Sequence, residues 1–139
     1  FNWTRIIPGT IRTILENKPI ILRSDGKFTR DFLYIEDAVD IQLMLAEKLV
    51  SNVNIRGEPF NFSLEIDLEI IDLVEEIKKI MNSSSKVLID SNTQAEIKFM
   101  QVNSDKAKKI LQWEPQFNIK TALERTVSWY NSYLSNKII

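Results

Sequence analysis

The chain has 139 residues, 44% hydrophobic and 27% charged, with a formal net charge of −1. That supports one soluble domain with a modest core, and it argues against a disordered segment or a basic nucleic-acid binder. Cys and His are both absent, which removes disulfides, thiolate metal sites and the usual general base.

No apolar run reaches bilayer length, and the opening Phe1-Asn2-Trp3-Thr4-Arg5 lacks the basic-then-apolar order of a signal peptide. The expected location is the cytoplasm, with no membrane or nucleic-acid partner. A start on Phe1 in place of Met suggests a piece of a longer protein.

Pro8 and Gly9 suit the start of a helix that carries Ile11, Ile14 and Leu15 at helical spacing and stops at Asn17 and Pro19. Residues 20–22 read as a short strand, Ser24-Asp25-Gly26-Lys27 as a turn, and residues 29–35 as a second strand. Glu36 and Asp37 open a helix to about Val50, with acids at its positive end. Its apolar residues, from Ala38 to Leu49, cover more than one face. A helix apolar on most sides requires burial on most sides, which predicts a partner surface beyond this chain.

Residues 58–63 read as a third strand. Asp67 is expected to cap a helix to about Met81, whose stripe is Ile70, Leu73, Val74, Ile77 and Ile80. The acids Asp67, Glu69, Asp72, Glu75 and Glu76 read as its solvated face. Residues 86–89 are expected as a strand, residues 97–102 as an extended segment, and Ser104 as the start of a short helix stopped at Trp113-Glu114-Pro115. Asn118 caps the last helix, with Leu123, Val127, Tyr130 and Leu134 on one face. Trp113, Trp129 and Tyr130 are expected in the core. The fold class is α/β, with mixed helices and short strands.

Three places could meet an anion. Arg30, at a strand start after the Gly26 turn, offers a planar fork to a phosphate; pairing with Asp31 or Asp37 is the alternative. Arg5 stands at a helix amino terminus, where anions are already favoured, or else faces solvent. Lys98 is the one base between Ile97 and Val102. Asn61 could bond a ligand or a turn backbone. Gly9, Gly26 and Gly57 are too far apart to build a dinucleotide loop. Tyr133 and Lys137 have the spacing of a proton-transfer pair but lie at the chain end, and read as coincidence.

Five segments in order carry a resemblance: Arg5-Ile6-Ile7-Pro8; Arg30-Asp31-Phe32-Leu33-Tyr34-Ile35-Glu36-Asp37; Phe60-Asn61-Phe62-Ser63; Leu111-Gln112-Trp113-Glu114-Pro115; and Thr126-Val127-Ser128-Trp129-Tyr130. Together they resemble the carboxyl-terminal part of the extended short-chain dehydrogenase/reductases, the NAD-dependent sugar-nucleotide epimerases and dehydratases. The resemblance implies that residues 1–139 are the substrate-binding region of a Rossmann-type enzyme. The NAD loop and the catalytic Tyr and Lys would lie in an amino-terminal half that precedes it.

By carry-over, Arg30 would clamp the diphosphate, with Asn61 beside it and Arg5 near the phosphates or sugar. Ile21, Leu22 and Arg23 would line the base pocket, and Lys98 would stand where a second phosphate Arg is common. Ser63 and Gln112 replace usual glycines. The expected ligand is a nucleotide-diphosphate sugar, and the intact enzyme is expected as a homodimer. Residues 2–10 are most similar to CDP-glucose 4,6-dehydratase relatives, which favours a dehydratase over an epimerase. A stand-alone nucleotide- or phosphate-binding module is the alternative.

Overall fold

The computed structural model describes residues 2–90 and 97–135. The elements follow the order α1 (Ile6–Leu15), β1 (Ile20–Leu22), β2 (Thr29–Arg30), α2 (Ile35–Ser51), a 3-10 turn (Val53–Ile55), β3 (Leu68–Glu69), α3 (Ile70–Ile80), β4 (Val87–Ile89), α4 (Asp105–Leu111) and α5 (Ile119–Ser135). The strand β1 pairs parallel with β4, with Ile20 opposite Val87. The strand β2 pairs antiparallel with β3 and bridges Phe99 on its other side.

Two apolar clusters organise these elements. In the first, Ile11 and Ile14 of α1 meet Ile20 and Leu22 of β1, Leu73, Val74 and Ile77 of α3, and Leu123 and Val127 of α5. The three-and-four spacing on α1, α3 and α5 puts these side chains on facing stripes, as the periodicity predicts. The second gathers Ile41 of α2, Ile55, Ala107 and Leu111 of α4, and Trp113, with Phe62 edge-on to Trp113 at 5.2 Å.

Local chemistry explains most element ends. The helix α1 begins at Ile6, two residues before Pro8, which sits in the first turn where a missing N–H costs nothing. Gly9 is required there: a Cβ would stand 2.7 Å from the Trp3 carbonyl oxygen. Asn17 closes α1 in the left-handed region at φ 54. Asn118 caps α5 by accepting the Thr121 N–H at 2.9 Å.

Four expectations need correction. Only Thr29 and Arg30 of the predicted 29–35 strand pair in a sheet; residues 31–34 are irregular, and Ile35 already opens α2. Residues 58–63 are not a strand: the alternating pattern is present, but no neighbouring strand pairs with it among the described residues. The helix α3 starts at Ile70, not after Asp67, because Leu68 and Glu69 are drawn into pairing with β2. Trp129 is 50% exposed, stacking on Tyr133 at 5.1 Å instead of entering the core that Trp113 joins. Lys137, half of the Tyr133–Lys137 spacing, lies outside the described residues. Among those residues no helix is long and apolar enough to cross a membrane.

Candidate functional site

A cleft of about 610 Å³ opens between the amino terminus of α1, the end of β1 and the start of β2. Its lining includes Arg5, Ile21, Leu22, Arg23 and Arg30, five of the seven residues singled out from the sequence. Asn61 and Lys98 do not line it.

Each arginine arrives by a different route. Arg5 is the residue before α1, its carbonyl accepting the Gly9 N–H at 2.9 Å. The first turn of α1 also lines the cleft, so the positive end of its dipole adds to the Arg5 charge. Arg23 leaves the carboxyl end of β1. Arg30 ends β2, with its guanidinium 5.9 Å from the Phe28 ring centroid and donating to the Thr29 carbonyl at 2.8 Å. Gly26 makes the return from β1 to β2 possible at φ 80, packed so closely that a Cβ would stand 3.0 Å from the Ile71 Cβ.

One acid, Asp31, shares the lining. It accepts a short hydrogen bond from the Ser63 hydroxyl, while its other oxygen is buried without a hydrogen bond. The other charged residues of the lining, Arg5, Arg23 and Arg30, are all cationic, which suits an anion. Ile21 and Phe28 supply apolar surface beside the charges.

The two remaining candidates lie outside the lining. The Lys98 carbonyl accepts the Thr29 N–H at 2.9 Å, placing Lys98 on the segment beside β2. Asn61 is exposed, two residues before the Ser63 that bonds Asp31. Sequence reasoning missed Ser24, Phe28 and Asp31 as lining residues. Phe28 and Asp31 flank the Arg30 motif and could have been found from that adjacency, whereas nothing in the pattern points to Ser24.

A second hollow of about 510 Å³ shares Ile7, Pro8 and Phe32 with the cleft and continues between Tyr34 and Trp129. Its walls are mostly apolar. Burial, then a hydrogen bond to the Glu36 carboxylate at 3.0 Å, raises the Tyr34 pKa above its ordinary value. The expected acidic face of α3 is solvated and paired: Glu75 meets Lys78 at 2.8 Å and Glu76 meets Lys79 at 3.2 Å.

Residues 2–126 match the family described as GDP-mannose 4,6 dehydratase. The chain belongs to that family, among the NAD-dependent extended short-chain dehydrogenase/reductases. Similar proteins include UDP-glucuronate 4-epimerase of Thermodesulfobacterium geofontis, 30% identical over 86% of this chain and 35% of the relative. The dTDP-glucose 4,6-dehydratase of Shigella flexneri is 28% identical over 91% of this chain and 36% of the relative. Among solved structures, the Bacillus cereus UDP-glucuronic acid 4-epimerase in complex with UDP-glucuronic acid and NAD superposes with a TM-score of 0.83 at 26% identity. It is matched over 93% of this chain and 40% of that one. The chain therefore spans well under half the length of these relatives.

The three glycines of the chain each serve another setting. Gly9 is taken up by the Trp3 carbonyl, Gly26 by the β1–β2 turn, and Gly57 has nothing within 4 Å of where a Cβ would stand. None stands in a glycine-rich turn before a helix, which the pyrophosphate cradle of a dinucleotide requires.

Proposed function

We propose that residues 1–139 form the substrate-binding region of an NAD-dependent nucleotide-sugar dehydratase or epimerase and supply its nucleotide-diphosphate-sugar pocket. The observation that carries this reading is the convergence of Arg5, Arg23, Arg30 and the first turn of α1 on one cleft. A diphosphate spreads negative charge over several oxygens, and planar guanidinium forks match that geometry better than point charges.

Within the pocket, Arg30 holds the diphosphate and Arg5 with the α1 amino terminus meets its outer phosphate or the sugar. Ile21, Leu22 and Arg23 flank the base, while Asn61 and Lys98 approach from the side of β2. These groups bind and orient. The hydride and proton transfers of the family belong to NAD and to residues outside this chain, and this region alone is inactive. The reaction we favour is dehydration, on the similarity of residues 2–10 to CDP-glucose 4,6-dehydratase relatives.

A binding module without catalysis is the second reading. Against it stands α2, which leaves Val39, Leu43 and Val50 exposed on one stripe. A stand-alone module would cover such a stripe, whereas a region docked on a larger protein would not need to.

The test is calorimetric titration of the full-length protein with CDP-, UDP-, dTDP- and GDP-sugars, followed by product analysis. Arg30→Ala is expected to weaken binding of the preferred ligand by about 2–3 kcal/mol, the scale of charge-assisted hydrogen bonds. Unchanged affinity in that variant removes Arg30 from the site. Binding without turnover of any sugar favours the second reading.

A further inference from the structure

Glu65 occupies the left-handed region at φ 56, a conformation that glycine adopts freely and glutamate does not. Its carboxylate is heavily engaged. One oxygen accepts the Ser104 N–H at 2.8 Å and the Ser104 hydroxyl at 2.7 Å, and the other accepts from Lys108 at 2.6 Å. Lys108 first, then Ser104, holds the carboxyl pKa at about 2, against an ordinary 4.5. The Glu65 carbonyl accepts from the Gln101 side chain at 3.0 Å, and its N–H donates to the Ser63 hydroxyl oxygen at 2.8 Å. That hydroxyl in turn donates to Asp31.

This polar tie reaches every segment that bears a candidate phosphate contact outside α1 and β1. Asp31 follows Arg30 and lines the cleft. Ser63 lies two residues after Asn61. Gln101 lies three residues after Lys98, whose carbonyl is bonded to β2. A strained backbone persists where its surroundings over-determine it, and such strain gathers at ligand sites.

We infer that Glu65 is a positioning residue for the diphosphate end of the cleft. It fixes the spacing of Arg30, Asn61 and Lys98 through Ser63, Asp31 and Gln101, without touching the ligand. The inference rests on the nucleotide-sugar reading of the cleft and assigns a role to a residue outside it.

The experiment compares Glu65→Gly, Glu65→Gln and Arg30→Ala in the full-length protein. Each is titrated with UDP and with UMP, and melted in parallel. Glu65→Gly removes the carboxylate while relaxing the left-handed backbone, so stability and positioning separate. Glu65→Gln keeps an acceptor for Ser104 but drops the charge facing Lys108.

The expected result for Glu65→Gly is a loss of about tenfold in UDP affinity, the scale of one charge-assisted contact. UMP, lacking the second phosphate, should lose less than about threefold, and the melting temperature should not fall in step. Glu65→Gln should lie between wild type and Glu65→Gly. An equal loss for UDP and UMP, or unchanged UDP affinity while Arg30→Ala still weakens it, overturns the role of Glu65. If Arg30→Ala also leaves UDP binding unchanged, the diphosphate reading of the cleft fails with it.

Discussion

The cluster formed by α1, β1, α3 and α5 closes on itself: Ile11, Leu73, Val74 and Ile77 have no solvent exposure at all. The cluster under α2 closes on one side only. There Ile41 is buried against Trp113 and Leu111, yet Leu43, two residues on and across the helix, is 61% exposed, and Val50 in the last turn is 81% exposed. Both helices of the contrast, α3 and α2, are rich in apolar residues, but α3 carries one stripe and α2 carries two. One stripe is satisfied by one neighbour; two stripes require a layer on each side. The first lobe thus supplies a rigid wall of the cleft from within this chain. The second borrows part of its rigidity from polar ties, chiefly those of Glu65 and Ser63, and leaves an apolar face for whatever packs on it.

The sharpest way to break this comparison is truncation of a closed-core residue. Leu73→Ala should cost about 3 kcal/mol, the range for buried leucines, read as a fall in the denaturation midpoint. Leu43→Ser, on the open stripe, should change the stability of the 139-residue chain by less than about 0.5 kcal/mol. In the longer protein proposed above, with the stripe covered, the same change should cost about 2 kcal/mol. Equal effects in both contexts would mean that α2 is not covered in the longer protein.

Acid should loosen the second lobe, although Glu16 at the end of α1 is also lowered, by Lys18 and then Arg12. Glu65 has its folded pKa lowered, so its contribution is fully present above its ordinary 4.5 and is lost as pH falls toward about 2. Glu58, lowered by its bond to Lys106, acts in the same direction and lies in the same lobe. Near-ultraviolet dichroism between pH 5 and 2 should therefore report loosening around Trp113, and Glu65→Gln should flatten that dependence.

Two smaller changes test backbone logic. Asn118→Ala should cost about 1 kcal/mol by removing the α5 cap, measured by thermal melting. Gln112 closes α4 at φ 57, so Gln112→Gly should stabilise the chain by about 0.5–1 kcal/mol.

That last position shows how the sequence can be read and where reading stops. The segment Leu111-Gln112-Trp113-Glu114-Pro115 signalled a helix end, and the family resemblance marked Gln112 as standing where a glycine is usual, both visible without coordinates. Likewise the periodicity of Leu73, Val74 and Ile77 and the cap at Asn118 were legible, because helix stripes and caps depend on residues a few positions apart. Residues 58–63 mislead for the opposite reason. A strand needs a neighbour to accept its hydrogen bonds, and alternation of side chains says nothing of whether one is present. Trp129 mislead similarly: its position on a helical stripe fits burial, but the neighbouring surface that would bury it is not supplied among the described residues.

For the cleft, the amino-acid sequence by itself determined the charged types and their local settings: Arg5 before a proline-bearing helix start, and Arg30 after a glycine turn. Only the tertiary structure decided that Arg5, Arg23 and Arg30 share one cleft and that Asn61 and Lys98 do not line it. Only there, too, does Glu65 join β2 to α4. The physical reason is range. Backbone propensity, capping and helix dipoles act within a turn or two of chain, while the cleft and its polar tie join residues tens of positions apart, through packing that no local pattern encodes.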